Sequence, residues 1–360
     1  MDRWDKMKII DKENFIFPNI IDYKKDYLKS ETKLPEGVVL EKITKGINEI
    51  IFDYLNTKEF QGVGEKFTSL AEESYNSGII FYIPKDVKVE SPIKIEFDMD
   101  EENPVVINQN IIVAEKGSEG TIIMDYTSSE KVGAFHNGLT KIYAKENSII
   151  NIIKVQRMND ISHNFDSNIA IVKGQGQVNW ISIELGSGIS SSNYSNFLEA
   201  EASEANLSSI YLGDGKRKID LEYSMIHKGP RSISNIETKG VLMDHAKKVF
   251  KGNLDFKKGA RLSKGIEEEY VILLDPTVKS DSIPALLCHE DDVEGEHAAS
   301  AGQINENKLF YLMSRGLEER EAKKLIVEAS FRPIIDRIPY EIYRNIVVDE
   351  VERRLMDGKN

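Results

Sequence analysis

His297 and Cys288 are the side chains of this 360-residue chain best suited to metal chemistry. Neutral imidazole is a good ligand for iron or zinc, and a soft thiolate favours iron–sulfur ligation. Cys288 is the single cysteine, so no internal disulfide can form, and one thiolate cannot hold a cluster that takes about four ligands. A cluster bound here must borrow ligands from another chain. Alternation after Pro284 puts Leu286 and Cys288 on one strand face and Ala285, Leu287 and His289 on the other. The expectation for Cys288 is therefore a small buried hydrophobe, with cluster ligation as the alternative.

Other polar clusters read as structure. The acidic stretch Glu290–Glu296 is expected to be a solvated turn rather than an acid/base pair, and Glu267-Glu268-Glu269 a solvated strand edge. His136, His163, His227 and His245 lack metal-ligand spacing, and His227 is assigned to a turn with Lys228-Gly229-Pro230-Arg231-Ser232. There is no G-x-x-x-x-G-K-[ST] loop, and Gly174-Gln175-Gly176 and Gly186-Ser187-Gly188 read as turns. Nucleotide hydrolysis is not expected of this chain. A carbohydrate-active β-solenoid enzyme would need paired carboxylates and aromatic platforms, for which two tryptophans offer little support.

The elements that would position these residues change period twice. In residues 1–77, Phe67, Leu70, Ala71 and Ser74 fall on one face of a helix over 65–74, and Ile43, Ile47 and Ile51 give a weaker helical pattern over 40–55. This stretch is expected to be a partly helical N-terminal region. From Gly78 to about Gly265 the period is two: Ile79–Ile83, Ile107–Val113 and Val178–Ile183 are β-branched runs bounded by turn residues, with no helix-length pattern between them. A weak repeat at Ala114-Glu115-Lys116, Ala144-Lys145-Glu146, Val172-Lys173-Gly174 and Ala200-Glu201-Ala202 recurs at steps of 30, 28 and 28, the mark of stacked coils. Period two without helices leaves a sandwich, a barrel or a β-solenoid as the core over 78–302, and the repeat favours the solenoid.

After Gly302 the period is helical again. Asn305 is the expected N-cap of a helix over 306–315 that stops at Gly316. A second helix over 318–330 puts Ala322, Leu325, Ile326 and Ala329 on one face before Pro333 breaks it; a third, from Tyr340, uses Ile342, Ile346, Val347 and Leu355. Residues 303–360 would either cap the last coil or present a groove to a partner.

Composition narrows the partners. With 47 basic and 60 acidic residues the formal charge is −13, which disfavours nucleic acid and anionic membranes. No window of eighteen apolar residues exists, and Met1–Asp5 opens without an apolar secretory segment, so a cytoplasmic protein is expected.

The ordered blocks Phe250-Lys251-Gly252, Leu273-Leu274-Asp275, Asp281-Ser282-Ile283-Pro284, Asp291-Asp292-Val293, His297-Ala298-Ala299-Ser300-Ala301-Gly302 and Leu309-Phe310-Tyr311-Leu312-Met313-Ser314-Arg315-Gly316 resemble the SufB/SufD family of iron–sulfur cluster assembly proteins. The resemblance implies a right-handed parallel β-helix and a scaffold without catalysis of its own. ATP hydrolysis would belong to a SufC-like ABC ATPase docked on 303–360 through Leu309, Tyr311, Arg315, Leu325, Ile326 and Phe331, with Arg332 nearby. It also implies a transient iron–sulfur cluster, shared with a SufB-like subunit, for which His297 and Cys288 are the candidate metal and cofactor ligands. Two departures make the chain SufD-like: Glu268–Leu273 lacks the cysteine expected of SufB, and alanine, not glutamate, follows His297. The alternative is a homodimeric scaffold working with the ATPase alone.

Overall fold

The computed structural model describes residues 8–29, 33–43 and 60–356. Of the helical pattern read at 40–55, residues 44–55 lie outside these, and Val39–Lys42 form a strand. Among the described residues the strands are β1 (Val39–Lys42), β2 (Ile79–Ile83), β3 (Ile93–Met99), β4 (Val105–Ala114), β5 (Glu119–Ser128), β6 (Phe135–Ala144), β7 (Ile149–Gln156), β8 (His163–Val172) and β9 (Gln177–Glu184). They continue as β10 (Ile189–Leu198), β11 (Glu204–Gly213), β12 (Lys218–His227), β13 (Ile233–Leu242), β14 (Lys247–Phe256), β15 (Ser263–Leu273), β16 (Lys279–Cys288) and β17 (Val293–Gln303). The helices are α1 (Glu65–Glu73), α2 (Glu306–Ser314), α3 (Glu319–Ile335) and α4 (Glu341–Met356). None is long and apolar enough to cross a membrane.

From β2 onward the even-numbered strands stack in parallel into one sheet and the odd-numbered ones into a second, so each pair of strands is one coil of a parallel β-solenoid. The expected repeat is a true register over three coils, because Ala114 pairs with Ala144 and Ala144 with Val172. The third step slips: Val172 pairs with Leu198, two residues short of Ala200, because that coil is shorter.

Side chains of alternating parity fill the lumen between the sheets, where Phe81, Ile95, Tyr126, Trp180, Tyr194, Tyr223 and Phe250 belong to one continuous apolar cluster. The outer faces are covered differently. On the even sheet, α1 buries Phe67 and Ala71 against Val105, Phe135 and Phe165. On the odd sheet, α3 and α4 bury Phe331, Ile334, Val347 and Val351 against Ile153, Ile183, Ile210 and Val241. The C-terminal helices thus cover a flank and not the last coil. They are fastened there by Arg354, whose Nε donates to Asp214 Oδ2 at 2.9 Å and whose Nη2 donates to the Leu212 carbonyl at 3.0 Å, and by Arg337 donating to Ser208 Oγ at 2.6 Å.

Three expectations for these helices change. Asn305 does cap α2, accepting from the Lys308 N–H at 3.0 Å. Pro333, however, lies inside α3, which runs on to Ile335; the carbonyl its missing N–H would have paired is that of Ala329, on the exposed side of the helix where water can serve it. The buried face of α3 is Ala322, Val327, Phe331 and Ile334, leaving Leu325 and Ala329 exposed. In α4 it is Tyr343, Val347, Val351 and Leu355, with Ile342 outside.

The two ends of the solenoid differ. At the first, β1 closes the even sheet by pairing antiparallel with β2, Leu28 bridges Ile95 beside β3, and Tyr27 stacks on Phe97 at 5.0 Å. At the last, β16 and β17 are the terminal strands of both sheets, and neither has a single fully buried residue.

Candidate functional site: the open end of the solenoid

His297 lies on β17 in register with Glu267 of β15, and register partners in a parallel ladder share a face, about 4.8 Å apart. Glu267 faces the lumen, 1% exposed, so His297 stands on the lumen side of the last coil, where no further rung covers it. Opposite Glu267 is Gly252, at which a Cβ would stand 2.5 Å from the Glu267 Cδ; the glycine makes the room the carboxyl fills. Gly295 similarly leaves space for Leu286, since a Cβ there would lie 2.7 Å from its Cδ1. β16 and β17 run in opposite directions across the lumen, so counting two residues on along β17 and two back along β16 sets His297 across from Pro284.

Cys288 ends β16 and is exposed, which overturns the expectation of a buried thiol. Its parity is the inward one, as read from the sequence, because it pairs with Phe256, but among the described residues no further coil covers it. It is also not brought to His297. Leu286 meets Gly295, so Cys288 and His297 are about four residues, or about 13 Å, apart along the strand direction. The stretch before His297 is a turn: Glu290 accepts from the Gly259 N–H at 2.9 Å and the Asp292 carbonyl from the Leu262 N–H at 2.6 Å, which ties the last loop to the one below.

Glu267 and Glu269 are not a solvated edge. Both are buried, 1% and 2% exposed, and only Glu268 between them faces out. Glu269 Oε1 accepts from Lys248 Nζ at 2.6 Å and Tyr211 OH at 2.9 Å, Ser282 donates to its other oxygen, and Lys248 also reaches Ser282 at 3.0 Å. Among the described residues, neither oxygen of Glu267 has a hydrogen-bond partner. Burial, with the Glu269 carboxylate beside it, pushes its pKa up to about 7.

Deeper in the lumen a polar network continues. Lys154 Nζ donates to both Asp166 oxygens at 2.9 Å, to Asn168 at 2.6 Å and to Thr140 at 3.0 Å. His136 bonds Asn164 at 2.6 Å and Asn108 at 3.3 Å, and burial lowers its pKa to about 4. His227, read from the sequence as a turn residue, is the last residue of β12 and fully buried, its Nδ1 at 2.7 Å from Ser232 Oγ across the turn and its ring stacked on Phe256. Sequence reasoning missed these lumen charges. The signal was parity: Lys248 shares the inward side with Phe250 and Leu254, as Glu267 and Glu269 do with Val271.

A second surface lies on the flank. A cavity of about 730 Å³ opens between α2, α3 and the outer face of β13 and β15, lined by Tyr311, Leu312, Leu325, Ile326, Tyr270 and Ile272. Three of the expected partner-binding residues converge here. Leu309 is half-buried on α2, and Arg315 sits over the Tyr311 ring at 5.3 Å. Phe331 does not belong to this surface: it is 0% exposed, its ring spent on the sheet below, and its contribution is packing.

A two-sheet parallel solenoid with an open terminal coil bearing a histidine, and a helical flank with an apolar groove, is compatible with a scaffold role. The model of the SufBD core domain of the SUF iron–sulfur cluster assembly system matches residues 97–330. The chain is 26% identical over 292 residues to the iron–sulfur cluster assembly protein SufD of Bacillus subtilis, covering 81% of this chain and 67% of that one. It is 26% identical over 323 residues to a SufBD family protein of Staphylococcus saprophyticus, and 27% identical over 325 residues to one of Staphylococcus haemolyticus, in each case covering 88% of this chain and 69% of the relative. The chain belongs to the SufBD family of iron–sulfur cluster assembly proteins.

Proposed function

We propose that this chain is the SufD-like, non-catalytic subunit of a cytoplasmic SUF complex, pairing with a SufB-like subunit and a SufC-type ABC ATPase to build and transfer iron–sulfur clusters. Residues 78–302 would be the β-helix core and 303–360 the ATPase-docking domain, with 1–77 an N-terminal region. The observation that carries this reading is the difference between the two ends of the solenoid. Unpaired strand edges invite association, and this fold closes one end while leaving β16 and β17 open. His297 lies at that open end, so a second chain adding strands there would bring its own ligands to the imidazole and make a site that exists only in the complex. The groove beside α2 and α3 supports docking on the flank, away from the edge, so both partners can bind at once.

The test is anaerobic co-purification of the tagged chain with a SufB-like subunit and the ATPase. A stoichiometric three-protein complex is expected, from which Leu325→Asp removes only the ATPase. His297→Ala should leave the complex intact and lower its cluster yield, whereas unchanged yield removes His297 from the site. A chain that purifies alone overturns the scaffold reading, and one that pairs with itself and the ATPase replaces SufB with a second copy.

A further inference from the structure

Glu267 has no role in the reading above. Its side chain is in the lumen wall, 1% exposed, and neither carboxyl oxygen has a hydrogen-bond partner among the described residues. Buried carboxyls are ordinarily satisfied, and its neighbour two residues along shows how: Glu269 is bonded by Lys248, Tyr211 and Ser282. The place of Glu267 is built rather than accidental, because Gly252 opposite has no Cβ and so leaves the room that the carboxyl fills. Above it, the next rung offers His297 in register and on the same face, with the open end of the solenoid beyond.

A carboxylate oxygen and an imidazole nitrogen on adjacent strands form a donor pair suited to a borderline first-row dication. Among the described residues no group of three or more His, Cys, Asp or Glu side chains gathers to hold a metal, so at this place the chain offers two donors. The remaining positions face the unpaired edge. We infer that Glu267 and His297 form a two-donor half-site for ferrous iron, received as cargo, whose other ligands come from the chain that docks on β16 and β17. The inference rests on the scaffold reading, to which it adds an oxygen ligand and the form in which iron arrives.

The probe is Fe(II) alone, titrated anaerobically without sulfur donor or nucleotide into the assembled three-protein complex, with affinity read by competition against a chromophoric chelator. Glu267→Gln and His297→Ala should each weaken binding at least about ten-fold, and the double variant little further, since a two-donor site is lost with either donor. Glu267→Gln keeps the side-chain volume, and an undiminished melting temperature certifies its fold. Affinity within two-fold of wild type for Glu267→Gln, with His297→Ala weakened, overturns the inference and leaves His297 in place. Absence of Fe(II) binding by the wild-type complex overturns it as well. If the complex fails to assemble, the scaffold reading falls separately, and titration of the chain alone judges the half-site: an Fe(II) signal independent of Glu267 rejects it.

Discussion

Lys248 of β14 and Glu269 of β15 meet at 2.6 Å across the lumen with both side chains fully buried, one from each sheet, one coil below the open end. Burial pushes the Lys248 ammonium pKa down and the nearby carboxylate of Glu269 opposes that. A buried pair of this kind costs desolvation, and its loss is asymmetric: removing one partner strands the other charge. Lys248→Met is expected to destabilise the fold by about 3–5 kcal/mol. Lys248→Met combined with Glu269→Leu should recover most of that loss in urea melts. A double variant no more stable than the single one would mean that the pair holds the end of the lumen by more than charge.

Lys154 and Asp166 form the matching pair deeper in the lumen, both side chains 5% exposed. Asp166 carries Asn168 as a further donor at 3.0 Å, and its pKa stays below the usual range despite burial because Lys154 and His136 stand beside it. Asp166→Asn is expected to cost about 3 kcal/mol, leaving the ammonium without its counter-charge, and the check is the shift of the urea midpoint at unchanged slope.

Stability should fall on both sides of neutrality, for opposite reasons. His136 and His227 have folded pKa values of about 4, below the ordinary 6.5, with burial as the first cause. Their contribution is fully present above pH 6.5 and is lost as pH falls towards 4. Glu267 is raised from 4.5 to about 7 by burial, so its contribution is fully present below pH 4.5 and is lost as pH rises through 7. Glu267→Gln should therefore gain about 3 kcal/mol on wild type between pH 4 and pH 8, most of it between pH 5 and 7. Melting curves of the two proteins that stay parallel from pH 5 to 8 would contradict this.

On the flank, packing and docking separate cleanly by residue. Phe331→Ala empties a site in the sheet–helix core and is expected to cost about 3–5 kcal/mol. Leu325 is 46% exposed at the groove, and Leu325→Asp should change the melting temperature by less than about 2 °C while abolishing association with the ATPase. Calorimetry and co-purification on the same two variants read both effects.

At the open edge, Leu287 of β16 is 47% exposed and faces away from the lumen. Leu287→Glu puts a charge beside the unpaired strand, a device that blocks edge pairing. The isolated chain should keep its melting temperature, and the three-protein complex should lose its SufB-like member in size-exclusion chromatography.

Much of the fold was legible from local pattern alone. Period-two alternation located Ile79–Ile83 to the residue, the turn-flanked repeat gave the register at Ala114, Ala144 and Val172, and Asn305 marked the start of α2. Each depends on neighbours within one strand or one helical turn, which sequence order supplies. The ordered blocks ending at Gly316 carried the family in the same way.

Which face is covered, by contrast, is decided by elements far apart in the chain. Parity placed Cys288 correctly on the inward side, yet it is exposed because no strand among the described residues stacks on β16. The same rule, read the other way, buries Glu267 and Glu269 because β15 does have a coil above it. Period 3.6 marked where α3 and α4 begin but neither the end of α3, which runs through Pro333, nor their buried faces, since the apolar strip of the odd sheet, assembled from β5 to β15, selects Phe331 and Val347 over Leu325 and Ile342. The sequence by itself determined the repeat and its period. Only the tertiary structure decided where the stack is closed, where it ends, and that an unpartnered carboxyl and a histidine stand side by side at the opening, because burial is set by what lies on the next rung.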